Sequence, residues 1–242
     1  MSNSPIFPLI PPPCDFYNNL IYHNDWMFDM ALFITFEGIE GCGKTTQLRL
    51  LAADLERRGY EVIATREPGG CPIGDAVRRI LLDPENNAMV PRAELLLYAA
   101  GRAQHVEEVI RPALAAGRIV LCDRYIDATA AYQGFGRGLP GEMIDGLNTL
   151  AVSGLVPDLT FLLDLPVEEG LGRAVERNAA TALQEDRFER ESLKFHQRVR
   201  EGYLSIARRE SRFRIIDAGG TTQQVAARII PEAEGVLLRQ NR

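Results

Sequence analysis

Long hydrophobic runs are missing from these 242 residues. No uninterrupted apolar stretch approaches the roughly 20 residues that a membrane-spanning helix needs, so no membrane association is expected. A basic surplus is missing as well. With 27 Lys and Arg against 33 Asp and Glu, a net charge of −6, the chain lacks the broad cationic face that general nucleic-acid or anionic-membrane binding requires. No motif recurs at a fixed period, which excludes fibrous and repeat architectures. Cysteine is scarce: Cys14, Cys42, Cys71 and Cys122 show neither C-x-x-C spacing nor a disulfide-dense pattern, and they read as reduced thiols of a cytoplasmic protein. What is present is apolar content of 46%, enough for a sizeable core in one larger domain, or a domain with an appendage.

Residues 1–29 stand apart. They hold Pro5, Pro8, Pro11, Pro12 and Pro13 together with Trp26, the only tryptophan, and no Lys or Arg. Without positive charge this stretch is neither a secretory n-region nor a transit peptide. Consecutive prolines cannot continue a helix or a central strand, so a poorly ordered, extended segment is expected. It also reads as an over-long translated start, with Met27 or Met30 as initiator. A single domain spanning 30–242 follows.

From Met30 onward, short apolar runs alternate with helical patterns. The runs are Leu32–Phe36, Glu61–Thr65, Ile119–Cys122, Leu159–Leu163 and Phe213–Ile216; between them lie amphipathic stretches such as Lys44–Arg58 and Pro91–Ala116. Phe195, Val199, Tyr203 and Ile206 recur on one helix face. Strand and helix in alternation predict an α/β fold, a five-stranded parallel sheet covered on both faces. Such sheets bind ligands at the carboxyl ends of their strands.

Just after the first run stands Gly38-Ile39-Glu40-Gly41-Cys42-Gly43-Lys44-Thr45-Thr46, a complete G-x-x-x-x-G-K-[ST] motif between strand and helix. Its glycines let backbone N–H groups wrap a phosphate, and the helix amino terminus adds partial positive charge. Lys44 would reach the β- and γ-phosphates, and Thr45 would ligate Mg²⁺. This reads as nucleoside triphosphate binding. The variable loop positions carry an acid, Glu40, and no base, so further cations must come from elsewhere in the chain.

The third run ends in Cys122-Asp123-Arg124-Tyr125. A strand-end Asp123 suits the ordering of Mg²⁺ or its water shell, and Arg124 suits a second phosphate; a plain Asp–Arg ion pair is the alternative. Thr129, Tyr132 and Gln133 are spaced to share one helix face, which would suit a base and a sugar. The second run ends in Thr65-Arg66-Glu67-Pro68-Gly69-Gly70, a sharp turn, with Arg78 on the next helix as a possible phosphate contact. Tyr98 and Arg102, i,i+4 neighbours, suit a planar heterocycle, or else a core tyrosine with a snorkelling arginine. Between Arg173 and Arg177 on one side and Arg187 on the other, the segment Asn178–Asp186 breaks the helical pattern. It reads as a lid over about 177–188 that would bring arginines to the transferring phosphoryl group.

These blocks, in this order, resemble the thymidylate kinase family in its bacterial form. The resemblance runs from about Met30 to the carboxyl terminus. It covers Phe36–Thr46, Arg66–Gly70, Leu95–His105, Asp123–Gly134, Asp186–Glu189 and Phe195–Tyr203. It implies a P-loop nucleoside-monophosphate-kinase-like three-layer fold. It also implies Mg²⁺-dependent transfer from ATP to dTMP, giving ADP and dTDP, and a homodimer. By the same resemblance Tyr98 lies against the thymine ring, and Arg102 and Gln133 contact the base side. Thr129 hydrogen-bonds the base, Tyr132 crowds C2′ of the sugar, and Arg78, Arg124 and Glu67 belong to the acceptor site. Glu40 then lies near the 3′-hydroxyl. With no base at residues 39–42, the chain resembles the members that carry their catalytic arginine in the lid, which makes Arg177 and Arg187 joint candidates. A kinase for another monophosphate would differ around Tyr98, Arg102 and Thr129; an ATP-dependent switch would need no acceptor.

Overall fold

The computed structural model describes residues 31–181, 188 and 191–240. The amino-terminal segment 1–29 and Arg187 lie outside them. Five strands, β1 (Leu32–Glu37), β2 (Val62–Arg66), β3 (Ile119–Asp123), β4 (Leu159–Asp164) and β5 (Phe213–Asp217), pair in the order β2-β3-β1-β4-β5, every pairing parallel. Each of the five expected apolar runs is a strand, and all five extend one charged residue further at the carboxyl end. The central strand β1 is buried along its whole length, whereas the edge strands β2 and β5 are only partly so. That difference follows from position: a central parallel strand is covered on both faces and reads as a continuous apolar run.

Period-two alternation divides the core. Leu32, Ile34 and Phe36 join Ile119 and Leu121 in one buried cluster, while Phe33 joins Val120, Cys122 and Tyr125 in another. The first helix, α1 (Lys44–Arg57), adds Leu48, Leu51 and Leu55 to the larger cluster, apolar residues at helical spacing. Next come α2 (Pro72–Leu82) and α3 (Pro91–His105), each with proline in its first turn, where a missing N–H costs nothing. A π turn, Val106–Ile110, joins α3 to α4 (Arg111–Ala115), whose second residue, Pro112, has no N–H to give to the helical ladder.

After β3, α5 (Ile126–Thr129) runs into a second π turn, Ala130–Gly136, followed by α6 (Gly141–Val152). The remaining helices are α7 (Val167–Thr181), α8 (Leu193–Ala207) and α9 (Thr222–Gln240). The pattern break expected at Asn178 does not stop α7, which continues to Thr181. Ala179 and Ala180 are strong helix formers and carry the helix past the sequence discontinuity. Ser192 caps α8, its hydroxyl accepting from Phe195 N–H at 3.3 Å. Phe195, Val199 and Tyr203 then face inward, as their spacing predicts.

The chain leaves β1 toward β2 and leaves β3 toward β4, in opposite directions across the sheet. A crevice therefore opens between the carboxyl ends of β1 and β3, the place where such sheets bind ligands. Register brings the two ends level: Phe36 pairs with Asp123, and Arg124 N–H donates to the Phe36 carbonyl at 2.9 Å.

Candidate active site

The loop from β1 to α1 is shaped by close backbone approach. Gly41, at φ 70°, lies against the backbone of Gly170 on α7, where a Cβ would meet the Gly170 carbonyl oxygen at 1.9 Å. Gly43, at φ 95°, is the residue before α1, and no side chain caps that helix and no acid stands in its first turn. The first N–H groups of α1 are left facing the crevice as an anion site. Lys44 bends back across the loop, its Nζ donating to the carbonyls of Gly38 (3.1 Å) and Ile39 (2.8 Å) and lying 3.5 Å from Cys42 Sγ.

On the β3 side, Thr45 Oγ1 donates to Asp123 Oδ2 at 2.5 Å. Two hard oxygen donors at the mouth of the phosphate loop suit Mg²⁺, which binds through one or two protein oxygens with phosphates and water completing its shell. No group of three or more His, Cys, Asp or Glu side chains among the described residues forms a metal cage.

Arg124 follows in the left-handed region, φ 71°, a conformation uncommon for a long side chain and met at functional sites. The expected alternative of an Asp123–Arg124 ion pair is not formed. Instead the guanidinium donates to Glu40 Oε1 at 3.0 Å and to Tyr203 Oη at 3.1 Å, and it lies 4.8 Å from the centre of the Tyr132 ring. Tyr203 in turn donates to Glu37 Oε2 at 2.8 Å, and Tyr132 donates to Glu40 Oε1 at 2.5 Å. Burial pushes both phenols well above their usual range, so both stay protonated donors.

The two acids of this network differ. Burial alone would raise Glu40, but the neighbouring His196, Arg124 and Lys44 outweigh it and hold the carboxylate ionised. Burial, and then the charge of Asp127, push Glu37 up to about 7 against Arg124 and the hydrogen bonds from Tyr203 and Tyr125 N–H. Glu37 and His196 were not singled out from sequence, and Tyr203 counted only as core. A charged residue closing an otherwise apolar strand was the available signal for Glu37.

A cleft of about 1260 Å³ joins the two sides. It is bordered by Glu40, Gly41, Gly43, Lys44, Thr45, Thr46, Glu67, Arg78, Tyr98, Arg102, Asp123, Arg124, Tyr132, Gln133, Arg173, Arg177 and Phe188, among others. Most of the residues expected from sequence are thus brought together. Gly38, Ile39 and Cys42 lie behind the loop surface, Cys42 and Ile39 being buried. Thr129 is also buried and does not border the cleft: its Oγ1 accepts from Arg102 Nη2 at 3.0 Å.

Arg102 does not snorkel. It is 2% exposed, with Nε donating to Glu67 Oε2 (2.7 Å), Nη1 to Asn148 Oδ1 (2.8 Å) and Nη2 to the Tyr125 carbonyl (3.0 Å) as well as Thr129. Glu67 also meets His105 Nδ1 at 3.0 Å, so this acid, next to a cis Glu67–Pro68 bond, braces the cleft wall. Tyr98 is half-buried, its ring 6.5 Å from that of Phe188, which packs edge-on against Tyr132 at 5.6 Å. Thr129 and Gln133 both meet α3, Thr129 through Arg102 and Gln133 Nε2 by donating to the buried Glu94 at 2.7 Å, while Tyr132 reaches Glu40. Arg78 Nη1 donates to the Pro68 carbonyl at 2.9 Å. Arg177 is exposed near the end of α7.

A family model described as thymidylate kinase matches residues 36–229. The thymidylate kinase of Trichlorobacter lovleyi is 61% identical over 200 residues, covering 82% of this chain and 94% of that protein. That of Geotalea uraniireducens is 60% identical over 202 residues, covering 83% and 95% respectively. Among solved structures, the thymidylate kinase of Ehrlichia chaffeensis superposes with a TM-score of 0.68 at 34% identity, over 84% of this chain and 99% of that one.

Proposed function

Since this chain belongs to the thymidylate kinase family and phosphorylates dTMP to dTDP with ATP, we propose that the cleft between β1 and β3 carries that reaction with the residues on its two walls. The observation that supports this reading is the pairing of two anion cradles on adjacent strand ends. One is the Lys44 loop for the triphosphate; the other is Arg124, held by Glu40 and Tyr203, for the acceptor phosphate.

An oxygen of the dTMP phosphate attacks the γ-phosphorus in line. One P–O bond forms there as the bond to the β-phosphate oxygen breaks, and ADP leaves. A phosphate monoester is already mostly dianionic at pH 7, so no general base is needed. Catalysis is then positioning and charge neutralisation. Lys44 moves from its own loop carbonyls to the phosphates. Arg124 holds the acceptor, and Arg177 and Arg187 are the joint candidates to bring charge to the transferring group. Tyr98, Arg102, Gln133 and Thr129 shape the base side, with Arg102 and Thr129 acting through the wall they brace; Glu67 and Arg78 complete the acceptor end, and Tyr132 crowds the sugar. Thr45 and Asp123 would hold Mg²⁺, which would supply charge neutralisation for the phosphates.

The reading extends to assembly and setting. Leu96 on α3 and Met143 and Leu150 on α6 are exposed on two helices that pack on each other, apolar side chains that a homodimer would cover. Cys42, Cys71 and Cys122 are free thiols, which favours a reducing cytoplasm. No helix among the described residues is long and apolar enough to cross a membrane. The test is purified protein with ATP and a panel of nucleoside monophosphates, read by ADP release. Release with dTMP, alone or with dUMP, is the expected result; equal release without any acceptor would overturn it.

A further inference from the structure

His196 lies in the first turn of α8 and is completely buried, packed edge-on against the ring of Phe195 at 5.4 Å. It does not border the cleft. Its Nδ1 stands 3.3 Å from Glu40 Oε2, close enough for charge interaction but not aligned as a hydrogen bond. Among the described residues neither ring nitrogen, nor Glu40 Oε2, has a hydrogen-bond partner. Glu40 Oε1, by contrast, is committed to Tyr132 and Arg124. Buried polar groups are nearly always paired, because an unpaired one carries its full desolvation cost. Two such groups side by side, donor against acceptor, need only a small turn of the imidazole to satisfy each other.

We infer that His196 is a positioning residue for Glu40. Its Nδ1–H anchors the buried Oε2 and so fixes the plane of the carboxylate, which keeps the edge of Glu40 that borders the cleft in one orientation toward the 3′-hydroxyl of the acceptor nucleotide. The inference rests on the reading that Glu40 meets that hydroxyl. A neutral imidazole has one donor and one acceptor nitrogen, and the adjacent negative oxygen favours the tautomer with hydrogen on Nδ1. Tyr132 and Arg124 restrain the first oxygen, and His196 restrains the second. The acid is thereby held in one orientation rather than merely kept charged.

The experiment compares dTMP with 3′-deoxythymidine 5′-monophosphate as acceptors. It uses the full-length wild type, Glu40→Gln, His196→Phe, His196→Asn and His196→Gln, with thermal melts to establish folding. Wild type should prefer dTMP by at least about tenfold in kcat/KM, the worth of a hydrogen bond to a charged group. Glu40→Gln should shrink that preference. His196→Phe should shrink it about fivefold, through KM for dTMP, while the analogue is used almost as by wild type. Asparagine carries its amide nitrogen where Nδ1 stands and should restore the preference; glutamine, whose nitrogen falls nearer the Nε2 position, should not. That contrast remains readable if the phenylalanine variant fails to fold. A loss of kcat/KM equal for both acceptors, or asparagine no better than glutamine, would overturn the inference while leaving Glu40 in its role. A wild type and a Glu40→Gln variant that both ignore the 3′-hydroxyl would overturn the Glu40 reading, and this inference with it.

Discussion

The phenol of Tyr132 donates to Oε1 of Glu40 across 2.5 Å, tying the π turn that follows β3 to the phosphate loop that follows β1. The ring and the hydroxyl of Tyr132 therefore have separable effects. Tyr132→Phe keeps the ring against the sugar and removes the donor. It should lower kcat/KM for dTMP by about tenfold, the cost of one hydrogen bond to a charged group, with deoxyribose preference unchanged. Tyr132→Ala should raise the use of the ribose analogue relative to dTMP; steady-state kinetics on both substrates for both variants check this.

Lys44 and Arg124 stand on opposite walls of the cleft. Replacing either by alanine should reduce kcat by about 10³ or more, the scale on which such charges act in phosphoryl transfer. Far-ultraviolet circular dichroism should remain that of the folded protein. Near-normal turnover in either folded variant contradicts the assignment.

Asp123 and Thr45 supply the two oxygens of the expected Mg²⁺ site. Chelation with EDTA should abolish turnover. Asp123→Asn should raise the Mg²⁺ concentration for half-maximal rate by about tenfold, measured by titrating Mg²⁺ at saturating nucleotides.

Glu37 links pH to stability. Its carboxyl is pushed from an ordinary 4.5 up to about 7, so the folded protein binds this proton more tightly than the unfolded chain does. The stability it contributes is complete below pH 4.5 and is lost as pH rises through 7. Glu37→Gln cannot ionise. Wild type should lose about 1–3 kcal/mol relative to this variant between pH 4.5 and 7.5, measured by urea unfolding at a series of pH values.

Much of this was legible in the chain itself. The five strands were visible because each is an apolar run with punctuation, and the phosphate loop because its backbone geometry demands glycine at set positions. Asp123 and Arg124 were visible because they close a strand. The reach of α7 to Thr181 was missed because alanine-rich polar segments look alike in helix and loop. The π turn at Ala130–Gly136 was missed because it leaves no periodic mark. Arg102 offered two readings and did not take the snorkelling one, since only its neighbours decide whether an arginine is bridged or exposed.

Sequence by itself determined what depends on neighbours along the chain: strand and helix alternation, the anion-binding loop, the acid and base at the end of β3. Tertiary structure decided what depends on neighbours across it. Glu40 stays ionised and Glu37 holds its proton near neutrality, though both are buried glutamates three residues apart in the chain. The reason is electrostatic. His196, Arg124 and Lys44 surround the first, while burial and then Asp127 raise the second, and those side chains arrive from α8, the end of β3, α1 and α5 only when the sheet has assembled.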